Sequence, residues 1–125
     1  MQGKTVKIPG PDHPIDIKPL AGRVVVTAGG RVVADSRRAL VLQESTYPAV
    51  HYIPREDADM SQLTRTAHST HCPYKGDASY YSIPGAGDRG ANAVWTYETP
   101  HDAVVSIAGH LAFYPDRVDS IEVSA

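Results

Sequence analysis

The densest run of reactive side chains in the sequence is His68-Ser69-Thr70-His71-Cys72-Pro73-Tyr74-Lys75-Gly76. Cys72 is the single cysteine and follows two imidazoles within five positions. Zinc accepts thiolate and imidazole, but a structural site normally draws four ligands from two separated pairs. No second pair accompanies His68, His71 and Cys72, so no metal is expected. As a nucleophile Cys72 would need a lowered pKa, for which His71 and Lys75 are plausible neighbours. A free cysteine ahead of a proline turn is more commonly a small buried apolar group. Lys75 brings a point charge, and Gly76 after it lets the backbone approach a ligand closely. The Gly-x-x-x-x-Gly-Lys-Ser/Thr spacing of a P-loop is absent. Arg55 stands between Pro54 and the carboxylates Glu56 and Asp57, where its planar fork binds an anion or pairs with Glu56, Asp57, Glu44 or Glu98.

Large rings form the second set. The chain has seven tyrosines against one tryptophan and one phenylalanine, so most of its rings carry a hydroxyl that needs water or a partner. Trp95 and Tyr97 lie two apart and share a strand face, with Glu98 on the opposite face; Tyr74 and Tyr80 complete the set. Such rings wall a pocket for a planar group or pack across strands as core. His13, His51, His101 and His110 are scattered, and neither Gly-x-Ser-x-Gly nor His-Glu-x-x-His occurs. The leading expectation is a polar-aromatic cleft for a small anionic or planar ligand, without a cofactor. Arg55 and Lys75 supply charge, Tyr74, Trp95 and Tyr97 the walls, and Thr70 a hydroxyl, with Cys72 beside them. One alternative is an enzyme using the same cleft through Cys72 or a Glu56/Asp57 carboxylate. Another is an oligomeric interaction module.

These residues must be positioned by short elements. Residues 1–22 carry Pro9, Pro11, Pro14 and Pro19 and read as an extended arm, ahead of a single β-rich domain over 23–125. Strands are predicted at 23–28 and 31–36 around the Gly29-Gly30 turn, then at 39–43, 49–53, 78–83, 91–97, 111–114 and 120–123. Residues 69–76 read as a loop or hairpin tip, because Pro73 and Gly76 punctuate them. Two short helices are predicted, at 56–63 behind an acidic first turn and at 100–108 between Thr99 and Gly109. With no βαβ alternation, the fold class is mainly β and mostly antiparallel.

Composition narrows the partners. At 125 residues the chain is long enough for one domain to bury roughly two thirds of its surface without staples. One thiol and no charged-then-apolar leader point to the cytoplasm. A net charge of -2 without a Lys/Arg block argues against nucleic acid. No apolar run approaches the roughly 20 residues of a membrane helix.

Six segments spread in one order along nearly the whole chain carry a resemblance: 10–15 (Gly-Pro-Asp-His-Pro-Ile), 33–36 (Val-Ala-Asp-Ser), 52–57 (Tyr-Ile-Pro-Arg-Glu-Asp), 70–76 (Thr-His-Cys-Pro-Tyr-Lys-Gly), 95–98 (Trp-Thr-Tyr-Glu) and 112–114 (Ala-Phe-Tyr). Together they resemble the bacterial domain of unknown function 427. The resemblance implies a β-tent-like fold, a pair of antiparallel sheets meeting at an angle with two short helices. β-tent proteins such as the methionine sulfoxide reductase B and Yippee families hold zinc through paired Cys-x-x-Cys motifs, from which this chain departs with its single Cys72.

Overall fold

The computed structural model describes residues 6–125. Among these described residues ten strands follow in order: β1 (Ile15–Pro19), β2 (Arg23–Ala28), β3 (Arg31–Ser36), β4 (Leu40–Glu44), β5 (Val50–Tyr52), β6 (Thr64–Cys72), β7 (Gly76–Ser82), β8 (Val94–Thr96), β9 (Leu111–Phe113) and β10 (Ser120–Ser124). They pair antiparallel in three sheets, ordered β1-β4-β5, β10-β2-β3 and β6-β7-β8-β9. The protein is mainly β. Where a pair of sheets was expected there are three, but two of them are joined. Ile53, just past β5, and Leu111, the first residue of β9, exchange two backbone hydrogen bonds of 2.8 Å. The joined sheets run β1-β4-β5-β9-β8-β7-β6.

Side-chain alternation explains the layering. Tyr81, Val94, Leu111 and Phe113 point from β7, β8 and β9 into a core shared with Val24, Val26 and Val33 of the β10-β2-β3 sheet. Ala78, Tyr80 and Ala112, one position away, enter a second cluster with Leu42, Tyr52 and Tyr97. A period of two with both faces apolar is the pattern of strands covered on both sides. Val104 and Ile107, from the turn following β8, close the second cluster.

The Gly29-Gly30 turn forms as expected, with φ of +60° and +76°. Gly29 has a further reason to lack a side chain, because the Gly85 carbonyl occupies the space a Cβ would take.

Three expectations change. Residues 15–19 of the expected arm are β1, an edge strand paired with β4 from Ile15↔Glu44 to Pro19↔Leu40. Edge position explains why the proline is tolerated, since its missing donor can face away from the ladder. Of the residues read as a loop or hairpin tip, 69–72 belong to β6, while 73–75 are the hairpin turn that joins it to β7. The residues of β6 are almost all exposed, so pairing with β7 rather than an apolar period makes it a strand. Both predicted helices are 3-10 turns, at Arg55–Asp57, Met60–Gln62 and Asp102–Ile107, the last interrupted by Val104 at φ −127°. Segments this short cannot offset the cost of nucleating an α-helix. No described helix is long and apolar enough to cross a membrane.

Leu111 is fully buried where the two sheets join. Leu111→Ala should lower unfolding free energy by about 2–5 kcal/mol in denaturant titration. Val32→Ala, at a site 51% exposed, should stay within about 0.5 kcal/mol of the parent. A loss below about 1 kcal/mol for Leu111→Ala would contradict the joined-sheet packing.

Candidate functional site

The face of the joined sheets turned away from β10-β2-β3 contains a cleft of about 390 Å³. β4 contributes Leu42 and Glu44, β5 Val50 and Tyr52, β6 Thr70, β7 Tyr80 and β8 Trp95. Lys75 enters from the β6–β7 turn, Tyr97 from just after β8 and Tyr114 from just after β9. On β4 the alternation Leu40, Leu42, Glu44 places a carboxylate on the face of the two leucines.

Glu44 Oε1 accepts a hydrogen bond from Lys75 Nζ, and the two side chains are only 12% and 10% exposed. Glu44 Oε2 lies 2.7 Å from His13 Nε2, which as the N–H partner of a carboxylate is the donor. His13 in turn stacks on Tyr74, with ring centroids 4.0 Å apart and planes 7° from parallel. Burial by itself would raise the Glu44 carboxyl, but hydrogen bonds from Lys75 and His13 outweigh it and hold the group below its ordinary range. The turn carrying Lys75 is fixed by backbone bonds from Lys75 N to Cys72 O (3.2 Å) and from His101 N to Lys75 O (3.0 Å). An ammonium has three N–H donors, and Glu44 takes one.

The walls form a hydroxyl chain. Thr70 Oγ1 lies 2.9 Å from Tyr80 Oη, which lies 3.3 Å from Tyr114 Oη. Trp95 Nε1 donates to Tyr52 Oη at 3.2 Å, and the Trp95 and Tyr114 rings pack with centroids 4.4 Å apart. Burial pushes the Tyr52 and Tyr97 phenols well above their usual range, and burial with the Tyr80 contact pushes Tyr114 up to about 12. All three therefore stay protonated near neutral pH. Tyr97 is 6% exposed and lines the cleft, and among the described residues none hydrogen-bonds its hydroxyl.

Of the side chains singled out in the sequence, Thr70, Lys75, Trp95 and Tyr97 line this cleft. Tyr74 stands behind it as the stacking partner of His13. Cys72 is half-buried and packs against the second cluster. Arg55 is elsewhere: its Nη1 donates to Tyr81 Oη at 2.9 Å, and its guanidinium lies over the Tyr81 ring. Tyr81 follows Tyr80 on β7 and so faces the other side of the sheet, which takes Arg55 out of the expected set. The Glu56/Asp57 route to catalysis leaves the cleft for a similar reason, because both carboxylates pair with Arg38 and Asp57 also accepts from Ser36. Glu98 lies on the opposite face, paired with Arg65 at 2.9 Å.

Glu44, His13, Tyr52 and Tyr114 were not read from the sequence as site residues. Glu44 did carry a signal, a charge at the inward position of an apolar alternation. His13 carried none, since the contact that places it is 31 positions away.

A mainly β domain with a hydroxylated aromatic cleft closed by a buried ion pair is thus the class of molecule. The family model described as a domain of unknown function (DUF427) matches residues 16–124, and the chain belongs to that family. No curated protein matches it.

The ion pair has a pH signature. A carboxyl held low in the fold contributes stability above its unfolded pKa, near 4.5, and loses it as pH falls through the lower folded value. Glu44→Gln should flatten that part of the acid limb in pH-dependent denaturant melts. Lys75→Met, leaving Glu44 buried without its cation, should cost about 3 kcal/mol at neutral pH. An unchanged acid limb in Glu44→Gln would contradict the assigned pairing.

Proposed function

We propose that the protein binds a small planar molecule through a carbonyl or carboxylate oxygen in the cleft of Lys75, Tyr97 and Trp95. The supporting observation is that two kinds of donor converge on one aromatic-walled hollow: the Lys75 ammonium, with N–H groups beyond the one Glu44 takes, and the Tyr97 hydroxyl. Trp95 and Tyr114 offer faces for a flat ring. Because Glu44 neutralises Lys75 and Arg55 is elsewhere, acceptor oxygens rather than net negative charge are what the cleft selects. Its size falls within the range of about 300–1,000 Å³ common for small-molecule sites.

Trp95 is the chain's one tryptophan, so its fluorescence reports on the cleft directly. Benzamide, a neutral planar carbonyl probe, should quench or shift that emission saturably at millimolar concentration and raise the melting temperature. Inorganic phosphate at the same concentration should do neither. Tyr97→Phe, which removes one hydroxyl donor, should weaken benzamide about threefold to tenfold. Stabilisation by phosphate without any response to benzamide would replace this reading with a simple anion site.

A further inference from the structure

The bridge that joins the two sheets does not continue. Antiparallel pairing from Ile53↔Leu111 would next align Tyr52 with Ala112 and His51 with Phe113, yet among the described residues β5 and β9 share only the one bridge. The strands part there, and at the parting lies a second hollow of about 580 Å³. Ile53, Phe113, Ile121 and Val123 are among its lining residues, the last two from β10. His51 lies on its wall, and burial lowers its pKa, which favours the neutral ring that suits apolar surroundings.

The two hollows adjoin. Tyr47, Pro48, Val50, Trp95 and Tyr114 line both of them. One side of this shared boundary holds Lys75, Glu44 and Thr70; the other holds mostly aliphatic and aromatic carbon, with the His51 ring on its wall. A ligand whose head accepts from Lys75 and Tyr97 would meet the second hollow beyond Trp95 and Tyr114.

We infer that the ligand is amphipathic: a planar carbonyl-bearing head in the Lys75 cleft, with an aliphatic tail passing Trp95 and Tyr114 into the hollow between β5, β9 and β10. This rests on the head-binding reading above and adds the class of substituent the head carries. The hollow needs an apolar occupant because its walls offer a polar group few partners, and continuity with the cleft makes that occupant the remainder of the same molecule. Each fully buried methylene strengthens binding about fourfold, so a partly enclosed six-carbon chain should add at least a factor of ten.

The test compares benzamide with 4-hexylbenzamide by Trp95 fluorescence in the parent chain and in Val123→Glu. Val123 is 47% exposed at the outer lip of the hollow, so the substitution should leave the fold intact; a melting curve verifies this. The expected result is at least tenfold tighter binding of 4-hexylbenzamide in the parent, lost in Val123→Glu, while benzamide binds both alike. Equal affinity of the two probes in the parent would overturn the tail assignment and leave the head reading standing. Tighter binding of 4-hexylbenzamide that survives in Val123→Glu would place the tail elsewhere and overturn it too. No response to either probe would sink the head reading itself. Equal affinities together with a dimer that Val123→Glu dissociates in sedimentation would give the hollow to a second copy of the chain, again overturning the tail.

Discussion

The Glu44–Lys75 ion pair is the constraint on which the site depends. Glu44 ends β4, one strand in from the β1 edge of the joined sheets, and Lys75 sits in the β6–β7 turn at the other edge. In strand order β5, β9 and β8 lie between them, and the pair lines one cleft together with Tyr52, Trp95 and, just past β9, Tyr114. Desolvating two charges is costly, and an apolar pair of similar volume commonly stabilises a fold as well or better. An apolar pair would not leave N–H donors at the edge of a low-dielectric hollow, where each hydrogen bond is stronger than in water. Under the function proposed above, the retained charge pair is what keeps Lys75 N–H groups at the cleft for a ligand.

Support for the pair comes from neighbours that themselves never reach the cleft. Tyr74 stacks on His13, His13 donates to the second oxygen of Glu44, and His101 holds the backbone of the Lys75 turn. The Pro-rich stretch before β1 thus has a role beyond linking, because it delivers His13 to a carboxylate on the far side of the β1–β4 ladder. Arg55 performs a comparable service for the opposite face, tying the segment after β5 to Tyr81.

Strands with a clean period of two were legible in the sequence, as was the Gly29-Gly30 turn, because local geometry decides them. β1 and β6 were not. Prolines mask the first, and the second has no apolar period, being held by its ladder to β7. Helix signals at 56–63 and 100–108 marked real turns, but the segments are too short to become α-helical. Within the site, Trp95 and Tyr97 were readable from their spacing and Lys75 from its turn, whereas the side of the sheet taken by Arg55 depends on whether it meets Tyr80 or Tyr81. That choice is made by tertiary packing. The same holds for the union of two sheets at Ile53 and Leu111, a single bridge between residues 58 positions apart with no local signature.

A titration of isotopically labelled protein with benzamide, followed by amide and side-chain NMR shifts, reads out whether the Lys75 cleft takes up a planar carbonyl. Saturable shifts are expected at Thr70, Lys75, Tyr80, Trp95 Nε1–H and Tyr97, with Arg55 and Tyr81 unmoved. Shifts centred on Arg55 and the opposite face, or none at all at saturating probe, would contradict that uptake.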